Sequence, residues 1–232
     1  MTGMNDMIAA DTSKDNDSGN KKQTRHGRRF DRTRAKLLKA GRTVVAEKGL
    51  DRATVDDITV RADVGRGTFY YHFNDMGELI GDLMKEVLSE LAGQIQDRCQ
   101  VQPDLVSLLD AMIGAHIEFF SKRWEDFVLF YQGRADLTLV DGYDGIETPF
   151  VDYLKVIEGL IDSAISQPIP RPVLRRLACA IAGFISGYYS FAVITSSQED
   201  VDKTFMSLRS AFVASLARFI SEALPDTRTE RH

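Results

Sequence analysis

From Leu37 onward, apolar residues recur every three or four positions, and no stretch shows the strict alternation of a strand set. That periodicity confines the chain to helices. Leu37, Ala40, Gly41, Val44 and Val45 share one face of a helix expected over about 32–48, and Gly49 suits its C-terminal cap. Thr54, with Asp57 three residues on, is a near relative of the capping box. It opens a short second helix with Val55, Ile58, Thr59 and Ala62 inward. Asp63-Val64-Gly65 makes a turn, a third helix covers 66–73, and Asn74-Asp75 caps a long fourth helix. The fourth carries Leu79, Ile80, Leu83, Met84, Val87, Leu88 and Leu91 as an apolar stripe. Beyond Pro103 the pattern predicts helices over 104–122, 124–134, 147–166, 172–195 and 199–222. Gly142 and Gly145, three prolines (Pro168, Pro170, Pro172) and Ser196-Ser197 mark the breaks. The expected fold class is all-α.

Charge is unevenly spread along this helical chain. Residues 21–73 hold 14 Lys/Arg against six Asp/Glu, whereas the whole chain has a net charge of −5. A basic N-terminal module on an acidic body suggests a local surface for a polyanion. Residues 1–20, rich in Asp, Asn, Ser and Gly, lack the apolar surface to offset ordering and are expected to be a disordered tail. They show no apolar core of a signal peptide. Residues 21–31 (KKQTRHGRRF and Asp31) form a basic arm, with Arg28 and Arg29 suited to phosphates or a minor groove.

The segment TVDDITVRADVGRGTFYYHFNDMGEL, Thr54 to Leu79, resembles the DNA-binding domain of the tetracycline-repressor-like (TetR) family. GTFYYHF at Gly67 to Phe73 is the strongest match, and AEKGL at Ala46 to Leu50 belongs to the same pattern. The resemblance covers roughly residues 32–90. It implies a three-helix helix-turn-helix DNA-binding domain over 32–78, followed over 79–225 by a helical effector-binding and dimerisation domain and a flexible tail at 226–232. It further implies base reading by Arg66 and Gly67 with help from Tyr70 and Tyr71, and backbone contacts from Thr54, Thr68 and His72. Three positions depart from the family's pattern. Asp63 stands where glycine is preferred and must take a left-handed backbone, Gly65 replaces a hydroxyl N-cap, and Met76 occupies a position that often holds Lys.

The residues make physical sense without the family. Phe69 and Phe73, at i and i+4, share a face that can lock the third helix onto the first two. Arg66 sits at the helix start, the end expected to enter a major groove, and a guanidinium there can pair with guanine O6 and N7. Gly67 lacks a Cβ and permits close approach to DNA. Thr68, Tyr70, Tyr71 and His72 offer donors for phosphate oxygens flanking the groove.

The body is less explicit. Ile181, Phe184 and Tyr188 on one helix, with Phe205, Leu208, Phe212, Leu216 and Phe219 on the next, recur at helical spacing. Two such helices per subunit suit a four-helix interface across a twofold axis, and so a homodimer. His116, Phe119, Phe120, Trp124, Phe127, Tyr131 and Tyr153 cluster in the middle of the chain and suit an effector pocket for a small molecule, although an aromatic stripe is more often plain core. The family implies population shift: effector binding favours a head spacing that misfits a near-palindromic operator.

Several classes are set aside. The four histidines (His26, His72, His116, His232) show no metal spacing, and no phosphate loop or nucleophile elbow is present, so no metal, cofactor or enzyme activity is expected. Leu177 to Ile194 runs without a charge, yet its serines, glycines and tyrosines read as a buried bundle helix rather than a membrane span. Cys99 and Cys179 read as two buried thiols of a cytoplasmic protein. The expectation is a transcription repressor acting on double-stranded DNA. An activator and a helical interaction module with a vestigial head are the competing readings.

Overall fold

The computed structural model describes residues 25–136, 147–195 and 198–223, and among these every regular element is helical. The order is α1 (Arg25–Lys48), a single 3₁₀ turn at Leu50–Arg52, α2 (Val55–Ala62), α3 (Arg66–His72), α4 (Met76–Cys99), α5 (Leu105–Ser121), α6 (Trp124–Asp136), α7 (Glu147–Ser163), α8 (Arg171–Thr195) and α9 (Gln198–Ala223). The expected tails at 1–20 and 226–232 lie outside the described residues.

Local chemistry sets the boundaries. Gly49 ends α1 with φ 85°, and its N–H donates to Val45 O at 2.8 Å. Thr54 and Asp57 close a reciprocal capping box, each side chain accepting the other's backbone N–H at 3.2 Å. Asp63 leaves α2 at φ 53°, the left-handed backbone expected of it. Its N–H donates to Val60 O and that of Val64 donates to Thr59 O, the paired bonds of a Schellman ending. Gly65, with no side chain to offer, stands at the N-cap of α3. Asp75 caps α4 by accepting from the Glu78 N–H at 2.8 Å.

Packing follows the periodic faces. Leu37, Ala40, Val44 and Val45 are buried, as are Ile58, Ala62, Phe69 and Phe73, so α1 to α3 close over a small apolar centre. That centre runs without interruption into the body, because Leu79 and Leu83 of α4 pack beneath α1. Gly41 permits this approach: a Cβ there would sit 2.7 Å from Leu79 Cδ2. α4 passes unbroken through position 78, so head and body share one helix. In the body α4 packs on α5 and α7, and α9 packs on α5 and α8. Arg209 of α9 donates through Nε to Asp110 Oδ1 at 2.7 Å, tying the last helix to α5.

Two expectations need correction. The basic arm is helical from Arg25 on, because α1 extends a full two turns ahead of Arg32. Phe30 anchors this extension, with its ring centroid 4.3 Å from that of His72 and 5.7 Å from that of Tyr71. Only one thiol is buried: Cys99 lies in the core, where burial pushes its pKa up to about 11, but Cys179 is exposed on α8. No helix among the described residues is long and apolar enough to cross a membrane.

Candidate nucleic-acid interface

α3 is held from behind and bare in front. Phe69 and Phe73 are both within 1% of full burial, and the Arg34 guanidinium of α1 lies 5.0 Å from the Phe73 ring centroid. Arg34 is itself paired with Asp82 of α4, so the rear of α3 is fixed to two helices. On the front, Tyr70 and Tyr71 are 51% and 64% exposed. Two large aromatic side chains left more than half exposed on one short helix are the informative exception to burial. Gly67 is exposed, and a Cβ built there would meet nothing within 4 Å. No neighbour among the described residues therefore requires glycine at this point.

The other predicted contact residues differ in what they offer. Arg66 is exposed and its Nε lies 3.1 Å from Asp56 Oδ1, with both side chains 62% exposed. Such a surface pair is worth little, about 0–1 kcal/mol, so the guanidinium is easily exchanged to another acceptor. Arg28 and Arg29 project from the first turns of α1, exposed. Thr68 is half-buried. The Thr54 hydroxyl already donates to Asp57 Oδ2 at 2.8 Å while accepting the Asp57 N–H, and the Lys48 ammonium at 2.6 Å from Asp57 Oδ1 helps hold that carboxyl below the usual range. His72 is the poorest donor of the set. It is tucked against Phe30, its Nδ1 is buried with no hydrogen-bond partner, and burial followed by the Arg34 charge lowers its pKa. Met76, half-buried, packs against the core.

Lys36, Lys39, Arg28, Arg29 and Arg32 line exposed positions of α1. With Arg66 they make the head's exposed surface cationic, whereas Arg61 is neutralised by Glu47.

The residues expected to line an effector pocket mostly fill space instead. His116, Phe119, Phe120, Phe127 and Tyr153 are buried, and their rings pack on one another, with Phe120 between Phe119, Phe127 and Phe130. The His116 tautomer is fixed by its neighbours. A carbonyl can only accept, so Nδ1–H donates to Met112 O at 2.7 Å, and Nε2 accepts the Tyr153 hydroxyl at 2.6 Å. Burial holds the imidazole neutral, with its pKa lowered to about 4. Trp124 and Tyr131 stand at the surface, 42% and 39% exposed. A cavity of about 560 Å³ lies elsewhere, between α4 and α7, with Glu78, Asp82, Lys85, Leu88 and Val156 on its walls. Tyr153 is the one residue it shares with the expected set.

The expected dimer residues divide in the same way. Ile181 is fully buried and Leu216 nearly so within the single chain, which removes both from any outward surface. Phe184 and Phe212 stack on each other, centroids 3.7 Å apart and 11° from parallel, and they join α8 to α9. Tyr188 is half-buried, and Phe205 has its side chain outside the described residues. Phe219 faces outward at 54% exposure, and Leu208 at 43%. They lie 11 residues apart, three helical turns along one edge of α9.

Residues 37–83 match the profile of the bacterial regulatory proteins of the tetR family. The HTH-type transcriptional regulator YvdT of Bacillus subtilis is 30% identical over 131 residues, covering 56% of this chain and 66% of that protein, just under two thirds of its length. The HTH-type transcriptional repressor KstR2 of Mycolicibacterium smegmatis is 23% identical over 61% of this chain and 69% of its own. Among solved structures, a transcriptional regulator from Rhodococcus sp. Rha1 superposes with a TM-score of 0.64 at 16% identity, over 82% of this chain and 97% of that one. The regulator FadR of Bacillus subtilis, in complex with stearoyl-CoA, superposes with a TM-score of 0.61 at 18% identity, over 78% and 94%. At those identities the structural likeness speaks for the fold alone.

Proposed function

Because the chain belongs to the tetR family of helix-turn-helix transcriptional regulators, we propose that it is a repressor, released from a near-palindromic operator by a small-molecule effector. The observation that carries this reading is α3: a helix locked by buried Phe69 and Phe73, with Arg66, Gly67, Tyr70 and Tyr71 left bare on a cationic head. In the proposed complex Arg66 reads a base edge in the major groove, Gly67 lets the backbone come close, and the two tyrosines and Thr68 meet phosphates and bases beside it. Arg28 and Arg29 follow the phosphates as part of α1. Thr54 and His72 act mainly by shaping the head, since their polar atoms are committed or buried.

The head takes in residues 32–78 and the effector and dimerisation body 79–225, the two joined through α4. Two chains pair through the outward edges of α8 and α9, around Leu208 and Phe219, and present two heads to successive major grooves. The KstR2 relative is a repressor, and the FadR neighbour holds stearoyl-CoA; both support a repressor with a small-molecule effector. The cavity between α4 and α7 is of a size that suits such a ligand.

Selection of bound sequences from random duplex DNA tests the reading. Two half-sites one helical turn apart should emerge, about 34–36 Å between centres. Affinity for the selected site should fall steeply with salt, in proportion to the phosphates contacted. Replacing Arg66 by Ala should relax sequence preference without unfolding the chain. A flat salt response, or no enriched sequence, overturns the assignment.

A further inference from the structure

Where α1 crosses the start of α6, a carboxylate is buried between two guanidiniums. Asp126, in the first turn of α6, has a side chain 2% exposed. Arg42 of α1 brings Nη1 to 3.1 Å from Asp126 Oδ1, and Arg123, just ahead of α6, brings Nε to 2.5 Å from Oδ2. Both arginines also reach α4: Arg42 Nη2 lies 3.2 Å from Glu86 Oε2, and Arg123 pairs with Glu90. The Arg123 guanidinium lies 4.4 Å from the Phe119 ring centroid as well, in the aromatic cluster of the body. Charged groups from the head, the helix shared with the body and the body itself thus meet at one point. The nearby Gln132 side chain of α6 accepts the Leu50 N–H at 2.8 Å.

This network is incompletely satisfied. Arg42 Nε and Asp126 Oδ1 are both buried without a hydrogen bond, because the 3.1 Å contact between Nη1 and Oδ1 is out of line for one. Apolar residues of similar size would stabilise such a place at least as well as a buried ion pair, so stability is a weak reason for it to be ionic. A buried pair does discriminate between alternative placements, because a slide of either helix exposes or misaligns a charge.

We infer that Asp126 is a positioning residue whose pairing with Arg42 sets how the DNA-reading head sits on the body. The consequence for operator binding rests on the regulator reading above; the consequence for head placement does not.

The experiment uses the full chain with Cys179→Ser and with spin labels on cysteines at Val60 in the head and Val101 in the body, both highly exposed. Labelled chain is diluted in unlabelled chain so that only the distance within a chain is read. Arg42→Gln and Asp126→Asn should each broaden or displace the label-to-label distribution, and the double variant should add nothing to either. Arg42→Gln leaves the pairing of Asp126 with Arg123 intact and keeps the test open if Asp126→Asn fails to fold. On DNA, the parent's preference for its selected operator over the same site with one base pair inserted between half-sites should fall about tenfold in each variant, the size of a modest coupling. A distribution unchanged in both variants, or a lower melting temperature with distribution and spacing preference intact, overturns the inference. If the parent binds no DNA site while the distances respond as described, the regulator reading fails and the positioning role stands.

Discussion

Gly67 separates what the fold needs from what binding needs. A Cβ there touches nothing among the described residues, and glycine inside a helix costs up to about 1 kcal/mol relative to alanine. Gly67→Ala should therefore raise the melting temperature slightly while weakening operator binding at least several-fold, as measured by calorimetry and by DNA titration. A variant that binds as tightly as the parent would remove Gly67 from the interface. His116 makes a second prediction at this scale. Its pKa falls from an ordinary 6.5 to about 4 in the fold, so the unfolded chain takes up the proton first as pH falls. The stability gained by keeping the ring neutral is complete above about pH 6.5 and is lost as pH falls from there to 4. The loss amounts to on the order of 3 kcal/mol. His116→Gln should flatten the stability profile between pH 6.5 and 5, where ordinary carboxylates still contribute little. An unchanged slope would show that the ring already protonates in the fold.

At the scale of elements, most of the architecture was legible because it is written locally. The Thr54–Asp57 box, the Gly49 ending and the left-handed Asp63 are matters of a few adjacent residues, and each was readable from residue type and spacing. The body helices were readable from periodicity. Periodicity says that a face is buried without saying against what, and this is where the reading of the sites fell short. Ile181 and Leu216 recur at the spacing expected of an interface, yet they are buried by the chain's own α5, α7, α8 and α9. The aromatic residues between His116 and Tyr153 fill their own core for the same reason, and the cavity between α4 and α7 is lined by mixed polar and apolar residues that carry no pattern. The start of α1 was missed because RHGRRFD lacks an apolar face of its own; Phe30 docks it on α3. The outward edge of α9 leads to a test. Leu208→Glu with Phe219→Glu should weaken self-association and leave helical content intact, as read by sedimentation and circular dichroism. Phe212→Ala, which removes the ring stacked on Phe184, should instead lower the melting temperature of the chain itself.

For the molecule as a whole, the continuous core is the central fact. Leu79 and Leu83 pack beneath α1 while the rest of α4 lines the body, and Arg34 and Arg42 reach from α1 to Asp82 and Glu86 on that same helix. A head seated in this way is not a bead on a string. Its orientation is set by the packing of the body, and a shift of α4 or α6 by a fraction of a helical turn must be felt at α3. The basic head and the acidic body also divide the work of electrostatics: the first attracts a polyanion, while the second discourages DNA from settling anywhere else on the protein.

The exposed thiol on α8 supplies a chemical footprint of assembly. Cys179 shares an outward arc with Ala180, Gly183 and Gly187, whereas Cys99 is sealed in the interior. A small maleimide should therefore modify one site per native chain. Its rate at Cys179 should drop as protein concentration rises through the association midpoint, if the proposed mate covers that arc. A rate indifferent to concentration, in chains shown by sedimentation to be paired, would move the twofold contact away from this part of α8 and leave the edge of α9 to hold it alone.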